Sequence, residues 1–385
     1  KKAFSFEYNK DWLNKGLNQN LDPDIAFYSG PQYPTDKEHF GIFMDSMLDT
    51  WGKTLMKRRE AQDARERGEK AKTLYEIDYL LGVYDESRMG ALRFKTELDG
   101  PFLDDDDQNP TPPWSSLGDL QKAVEQLESD TQNEETKQWL AVLIAPGSSL
   151  GGARPKANIL GKEKSLWIAK FPSKTDTVDK AAWEYLAYKL AIACGIEMAD
   201  SKIQKISGSY HTFLTKRFDR EDGGRIHFAS AMTMTGNNEE TLKNQTASYL
   251  DIVDFIENYG TNVKANLHQL WRRIVFNITI SNTDDHLRNH GFILNEKGWE
   301  LSPAYDLNPS IEKDGLALNI DMDDNALDFG LAKSVGEFFR LSGDEMDAII
   351  NEVLTVVRDW KTLAKGIGIS NKEISLMESA FNIEV

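Results

Sequence analysis

Residues 282–291, NTDDHLRNHG, concentrate acids, histidines and amides within ten positions. His286 and His290 are four residues apart, which is the spacing of two zinc ligands on one face of a helix. However, no glutamate follows His286 in the order of a helical zinc site, and Gly291 indicates a loop rather than a helix. A zinc site, a loop for phosphoryl transfer and an ordinary polar loop therefore remain as three interpretations.

The spacing of Asp284 and Asn289 favours the second interpretation. They are five residues apart, as in the catalytic loop of protein kinases, where the aspartate accepts the proton of the substrate hydroxyl and the asparagine binds magnesium. A second metal-binding acid is then expected after a short hairpin. Residues 291–304, GFILNEKGWELSPA, form such a pattern, and Asp306 follows it. The oxygen ligands of Asn289 and Asp306 are those that Mg²⁺ prefers.

Residues 327–332, LDFGLA, match the letters of another kinase motif. Asp328 lies 44 residues beyond Asp284, and no hairpin pattern leads directly into it. We therefore assign metal binding to Asp306 and predict a structural role for Asp328.

Two further features occur in the first half of the chain. Residues 147–156, GSSLGGARPK, place glycines and serines before a strand, so that backbone N–H groups could approach a phosphate, although the Walker pattern is absent. Lys170 ends the second strand of the hairpin predicted from KANIL and SLWIAKF, and Glu184 lies on the helix that follows. A strand lysine paired with a helix glutamate orients the kinase lysine. Taken separately, the alternative for residues 147–156 is a flexible turn, and the alternative for Lys170 and Glu184 is two surface charges.

The composition limits the classes of function. The chain has 385 residues, a net charge of −17 and a sequence pI of about 4.9, which opposes unaided binding of DNA or RNA. Its single cysteine, Cys194, ends an apolar helical pattern, so we predict a core thiol and no intrachain disulfide. No apolar run approaches the roughly 18–20 residues of a membrane span. These features predict a cytoplasmic protein without membrane contact.

The apolar periodicity predicts a mixture of helices and strands. Helices are predicted within residues 40–61, 115–142 and 178–194, and a strand at Ala91–Lys95. Residues 100–113, with four consecutive aspartates, are the clearest linker. From about residue 245 onward the pattern is mostly helical.

In chain order, the motifs GSSLGGARPKA, WIAKFPS, KRFDR, NTDDHLRNHGF and SPAYDLNPS resemble those of the HipA-type serine/threonine kinase toxins. Two upstream segments, FGIFMDSMLDTWGKTLMKRREA and LLGVYDESRMGALRF, also look like that family, so the resemblance covers about residues 1–340. It implies an α+β, two-lobed protein-kinase-like fold. The implied parts are an N-terminal subdomain over 1–112, an N-lobe with the glycine-rich loop over 113–225, and a mostly helical C-lobe over 226–385.

The resemblance also implies roles for individual residues. Asp284 would be the catalytic base, Asn289 and Asp306 the magnesium ligands, and Lys170 a ligand of the ATP phosphates. Further nucleotide contacts would come from the glycine-rich loop, with Gly151, Gly152, Ala153, Arg154 and Lys156. The hinge that binds adenine would contain Lys216 and Phe218. Asp219 would lie near the ribose, and His286 would lie close to the phosphates.

In the family, a serine at the start of the glycine-rich loop is autophosphorylated, which silences the kinase. Ser149 matches that serine, and Ser148 is a neighbouring candidate. The resemblance further implies ATP and Mg²⁺ as cofactors, a protein serine as the acceptor, and a helix-turn-helix antitoxin similar to HipB as the partner, with DNA contacted only through that partner. The best-known family substrate is an aminoacyl-tRNA ligase, glutamate–tRNA ligase, but no residue here specifies it. A kinase of a small molecule or lipid and an inactive corepressor are the alternatives.

Overall fold

The computed structural model describes residues 4–15, 20–35, 37–103, 111–129, 140, 142–143, 152–243 and 246–383. The chain divides into two compact units, each assembled from separate stretches of sequence. The sheet unit comprises Ser46–Tyr185 and Ala199–Ile226, and the helical unit comprises Lys1–Asp45, Leu186–Met198 and His227–Val385. The domain boundaries at residues 112 and 225 stay predictions.

The helices are α1 (Lys10–Asn14), α2 (Gly41–Asp45), α3 (Thr50–Glu66), α4 (Glu76–Leu81), α5 (Leu117–Glu128), α6 (Lys180–Ala193), α7 (Ala231–Met234), α8 (Tyr249–Tyr259), α9 (Val263–Thr279), α10 (Phe329–Ser334), α11 (Gly343–Val357), α12 (Trp360–Ile367) and α13 (Asn371–Leu376). The strands are β1 (Lys156–Leu160), β2 (Leu166–Lys170), β3 (Ser201–Gln204), β4 (Thr212–Lys216), β5 (Arg220–Glu221), β6 (Gly224–Arg225), β7 (His227–Ser230), β8 (Gly291–Asn295) and β9 (Gly298–Leu301).

The sheet unit is built on an antiparallel sheet with the strand order β1-β2-β4-β3. The predicted hairpin of β1 and β2 is confirmed, with Lys156 opposite Lys170. Side chains alternate between the two faces of a strand, so one face carries small and apolar residues such as Ala157 and Ala169. That face packs against α3 and α5 in a buried core that includes Leu55 and Leu120.

Two predictions for the sheet unit need correction. No strand forms at Ala91–Lys95. The backbone just before this segment is held by a side chain instead, because the buried guanidinium of Arg88 donates to the carbonyls of Ser46 and Leu80. The apolar pattern within residues 40–61 forms two helices rather than one, and α3 begins after Asp49, whose side chain accepts a hydrogen bond at the helix N-terminus.

The helical unit is organised around α9, whose residues from Leu270 to Thr279 are almost all buried. It contacts α8, α10 and α11. Ser248 begins α8 and Ser342 begins α11, each through a capping box that satisfies the first N–H groups of its helix. The hairpin predicted before Asp306 is confirmed as β8 and β9, which β7 extends to a three-stranded sheet.

Cys194 is buried near the carbonyl of Val353, and burial raises the pKa of its thiol to about 12. The prediction of a core thiol is therefore confirmed. Within the described ranges, no helix is both long and apolar enough to cross a membrane.

Candidate functional site

The segment after α9 holds Asp284 at the surface. The amide nitrogen of Asn289 donates to the Asp284 carbonyl over 3.0 Å, and the Asn289 backbone N–H donates to the His286 carbonyl over 2.7 Å. Asn289 itself is buried, whereas the Asp284 side chain is exposed. Because the amide nitrogen of Asn289 is engaged by the loop, its carbonyl oxygen is the atom suited to a cation. The predicted pair of residues therefore lies within one short, internally bonded loop.

The neighbouring Asp285 is buried and anchors this loop. Its Oδ2 accepts hydrogen bonds from His290 Nε2 and Asn277 Nδ2, each over 2.8 Å, and from the hydroxyl of Tyr249. Burial by itself would raise the pKa of Asp285, but the charge and hydrogen bond of His290, with the Tyr249 hydroxyl, hold that pKa below its usual value. Burial and the adjacent Asp285 raise the pKa of Tyr249 well above 10.

Sequence reasoning did not identify Asp285, Asn277 or Tyr249 as part of this anchor. The available signal was a polar side chain, Asn277, on the apolar face of α9. In the zinc interpretation, His290 would have only its Nδ1 left for a metal, because its Nε2 lies 2.8 Å from Asp285. Across the part of the chain that the structure describes, no three His, Cys, Asp or Glu side chains are grouped to hold a metal ion in the manner of zinc.

Asp306 follows the β8–β9 hairpin, as predicted, and its backbone has a φ of 61°. Aspartate tolerates this left-handed conformation better than most residues, and such strain is frequent at functional sites. The hydroxyl of the preceding residue, Tyr305, donates to the Arg288 carbonyl over 2.8 Å and so ties this segment to the Asp284 loop. By contrast, Asp328 caps α10 by accepting from the Leu331 N–H over 2.7 Å, as expected of a structural residue.

In the sheet unit, Lys170 and Glu184 form the expected pair. The Nζ of Lys170, at the end of β2, lies 2.6 Å from Oε1 of Glu184 on α6, and both side chains are largely buried. The Lys170 ammonium also lies 5.6 Å from the centre of the Phe213 ring, on the adjacent strand.

The glycine-rich loop is described from Gly152 onward, so Ser148, Ser149 and Gly151 lie outside the described residues. Gly152 has a φ of +82°, which favours glycine, and Ala153 is exposed. Arg154 makes a bidentate ion pair with Asp176, over 2.9 and 2.7 Å.

Lys156 was predicted to end the loop over the nucleotide and to begin the KANIL strand, and the structure places it as the first residue of β1. Its side chain is buried, and its Nζ lies 3.6 Å from Oδ2 of Asp49. A buried ammonium requires a counterion, which Asp49 supplies.

The predicted hinge lies at the end of β4. The N–H of Lys216 donates to the Asp200 carbonyl, and the N–H of Arg217 donates to the Leu166 carbonyl, so both groups are used within the sheet unit. The Lys216 side chain is exposed and Phe218 is partly buried. A contact of this segment with adenine stays a prediction.

Asp219 was predicted near a ribose, yet it is fully buried and bound to two arginines. Arg217 donates to both of its oxygens, over 2.8 and 2.5 Å, and Arg220 donates over 2.6 Å. Burial would raise the pKa of Asp219, but the charge of Arg217, followed by that of Arg220, holds it below its usual value. This geometry favours a structural role, in which Asp219 also accepts the N–H of Gly90 over 2.7 Å.

The donors fit the cofactors that the sequence predicts. The helical unit offers the amide oxygen of Asn289 and the carboxylate of Asp306, which are hard oxygen ligands of the type that Mg²⁺ takes. His286 is partly buried in the same loop. The sheet unit offers Lys170, whose charged form Glu184 stabilises.

The structure aligns with HipA of the Shewanella oneidensis MR-1 toxin–antitoxin system, which was solved in complex with HipB and its operator DNA. The alignment covers 98% of this chain and 90% of that chain, with a TM-score of 0.64 and 16% identity. At this identity the likeness shows the fold, which is the predicted two-lobed, protein-kinase-like α+β fold. Residues 148–360, more than half of the chain, match the family model described as the HipA-like C-terminal domain. The chain therefore belongs to the HipA family.

Two curated relatives, each named a putative kinase, come from Haemophilus influenzae and Sinorhizobium fredii. The first is 25% identical over 183 residues, which are 42% of this chain and 52% of that protein. The second is 24% identical over 210 residues, which are 52% of this chain and 43% of that protein. The chain thus spans about half the length of the curated relatives it matches.

Proposed function

We propose that this chain is an ATP- and Mg²⁺-dependent serine/threonine protein kinase of the HipA type. The observation that carries the proposal is the 2.6 Å contact between Lys170 and Glu184, on a strand and a helix as in protein kinases. Family membership and the names of the two curated relatives support the same conclusion.

Bound ATP and Mg²⁺ supply the transferable phosphoryl group and the charge that stabilises its transfer. Asp284 would accept the proton of the acceptor hydroxyl as that hydroxyl takes up the phosphoryl group and ADP leaves. Asn289 and Asp306 would hold the metal, and Lys170 would bind phosphate oxygens. His286 serves as a helper close to the phosphates.

The regulatory part of the proposal concerns Ser148 and Ser149. Transfer of phosphate to one of these serines by the chain itself would silence the kinase, as the family resemblance implies. Mass spectrometry of the purified protein after incubation with ATP and Mg²⁺ identifies the modified residue.

A matched pair of substitutions tests the kinase proposal. Asp306→Asn should abolish Mg²⁺-dependent transfer of labelled phosphate from ATP, because an amide binds Mg²⁺ more weakly than a carboxylate. Asp328→Asn makes the same chemical change in the LDFGLA motif and should leave transfer within about twofold, since asparagine caps a helix as well as aspartate. Equal activity of the Asp306→Asn variant and the wild type would overturn the assignment of Asp306. No transfer and no ATP binding by the wild type would overturn the kinase proposal.

We further propose that the chain acts as the toxin of a toxin–antitoxin pair and binds a helix-turn-helix partner. The support is that HipA of Shewanella oneidensis was solved with HipB and operator DNA, and that this chain belongs to the same family. The net charge of −17 suits contact with DNA through a partner rather than directly. Affinity purification of the tagged chain from its host, followed by mass spectrometry, tests this. Recovery without any helix-turn-helix protein would count against it.

A further inference from the structure

Two lysines lie directly opposite each other in the sheet unit. Lys156 of β1 and Lys170 of β2 are paired in register, so their side chains project from the same face of the sheet. Like charges in this arrangement repel unless each is neutralised. Glu184 neutralises Lys170 at 2.6 Å, and Asp49 neutralises Lys156 at 3.6 Å. Each lysine of the pair therefore has a carboxylate from a helix or its N-cap.

The two carboxylate oxygens of Asp49 serve different partners. Oδ1 accepts the Gly52 N–H over 2.7 Å and caps α3, whereas Oδ2 faces Lys156. In the same turn, the Trp51 N–H donates to the Gly152 carbonyl over 3.3 Å. A Cβ atom at Gly152 would lie only 3.2 Å from Lys156 Nζ, so the ammonium lies directly beside the glycine-rich loop. The first turn of α3, Lys156 and the described end of that loop are thus in contact.

The length of the Asp49–Lys156 contact matters for its role. At 3.6 Å it exceeds the usual length of an N–H···O hydrogen bond, so charge attraction rather than a short hydrogen bond holds the pair. Burial disfavours a charged ammonium, and the carboxylate opposes that effect. A phosphate oxygen could therefore be added to the environment of Lys156 without breaking a short hydrogen bond to Asp49.

We propose that Asp49 is a positioning residue for nucleotide binding, which holds Lys156 for contact with phosphate as Glu184 holds Lys170. This inference rests on the proposed kinase function. It gives α3, within the predicted N-terminal subdomain, a part in the nucleotide site. The ligand class is a nucleoside triphosphate, recognised through its phosphates by two cross-strand lysines.

Calorimetric titration with the non-hydrolysable analogue AMP-PNP and Mg²⁺, and separately with adenosine, tests the inference. Asp49→Asn keeps the helix cap but removes the charge. We expect Asp49→Asn and Lys156→Met each to weaken AMP-PNP binding about tenfold, the effect of losing one charge-assisted contact. Adenosine, which has no phosphate, should bind all variants within about twofold. Asp49→Glu should restore much of the AMP-PNP affinity because it restores a carboxylate.

Asp49→Asn leaves a buried ammonium without its counterion and could fail to fold. The Asp49→Asn/Lys156→Met double variant avoids this problem, and we expect it to bind AMP-PNP as weakly as Lys156→Met alone. Additive losses, unchanged AMP-PNP binding or an equal loss for adenosine would overturn the positioning role. A wild type that binds no AMP-PNP would overturn the kinase proposal itself, together with this inference. Asp328→Asn, which alters another helix cap, is the matched control and should bind as the wild type does.

Discussion

The two compact units differ in their charge. The helical unit has 19 lysines and arginines against 33 aspartates and glutamates, a net −14, whereas the sheet unit has 26 against 29, a net −3. Most of the excess of acids over bases in the sequence therefore belongs to one unit. The glycine-rich loop and Lys170, which are predicted to bind phosphate, lie in the nearly neutral unit, and the predicted ligands of magnesium, with His286, lie in the acidic one.

The predicted site residues of the two units also differ in burial and in ion pairing. In the sheet unit Arg154, Lys156 and Lys170 each pair with a carboxylate, and all three are at least partly buried. In the helical unit Asp284 is exposed, and among the described residues it makes no ion pair, while the adjacent Asp285 is buried among donors. Buried cations need fixed counterions to remain charged, whereas a group that must exchange protons is better left accessible to its substrate. In the helical unit, exposure thus distinguishes Asp284, the acid proposed to act, from Asp285, the acid that anchors the loop.

The sharpest test of this separation uses the two adjacent acids. Asp284→Asn should reduce phosphate transfer by roughly 10³-fold, within the range for loss of a general base, and should change the free energy of unfolding by less than about 0.5 kcal/mol. Asp285→Asn should instead lower the free energy of unfolding by about 3 kcal/mol, because an amide cannot replace a buried carboxylate that accepts hydrogen bonds from three side chains. Denaturant unfolding and a labelled-ATP assay measure the two effects.

A reversal would break the comparison. If Asp285→Asn unfolds at the same denaturant concentration as the wild type, the buried network does not anchor the loop. If Asp284→Asn retains phosphate transfer, exposure does not identify the catalytic base, and Asp285 becomes the candidate for that role.

In the sheet unit, Lys170→Met should reduce transfer by about 10²-fold, the usual loss when one electrostatic stabiliser of the reacting group is removed. Glu184→Gln should cost about tenfold, because Lys170 keeps its charge but loses the group that orients it. The double variant should be no worse than Lys170→Met, since the two residues act as one unit. Losses that multiply in the double variant would show that Glu184 acts independently of Lys170.

The sequence predicted the hairpins, the Lys170–Glu184 pair and the loop containing Asp284, because these depend on alternation and spacing over short distances. Its prediction of a strand at Ala91–Lys95 was wrong. Apolar alternation does not reveal that the side chain of Arg88 binds the carbonyls of Ser46 and Leu80. The sequence did not predict that Lys156 and Asp219 are buried and paired with oppositely charged side chains. The partners that decide their environments, Asp49 and Arg217, become visible only when distant segments or buried side chains are placed.

The smallest effect concerns one histidine in each unit. His211 in the sheet unit faces a carboxylate, with Nδ1 at 2.5 Å from Oδ2 of Asp179. In the helical unit, His227 packs near Trp299, neither ring nitrogen has a hydrogen-bond partner within the described residues, and burial lowers its pKa to about 4. An unfolded histidine has a pKa of about 6.5, so below that pH the unfolded chain binds a proton that the folded chain does not.

Stability should therefore fall as the pH drops from 6.5 toward 4, by about 1–2 kcal/mol between pH 7 and pH 5 from His227 alone. His227→Phe keeps the ring and removes the proton-binding site, so it should make the free energy of unfolding less dependent on pH over this interval. His211→Phe removes the partner of Asp179 and should lower stability at both pH values rather than flatten the curve. Urea unfolding at pH 5 and pH 7 measures both variants, and an unchanged pH dependence in His227→Phe would mean that His227 gains solvent or a partner in the native protein. In that case the two histidines would not differ in pairing as the predicted site residues of the two units do.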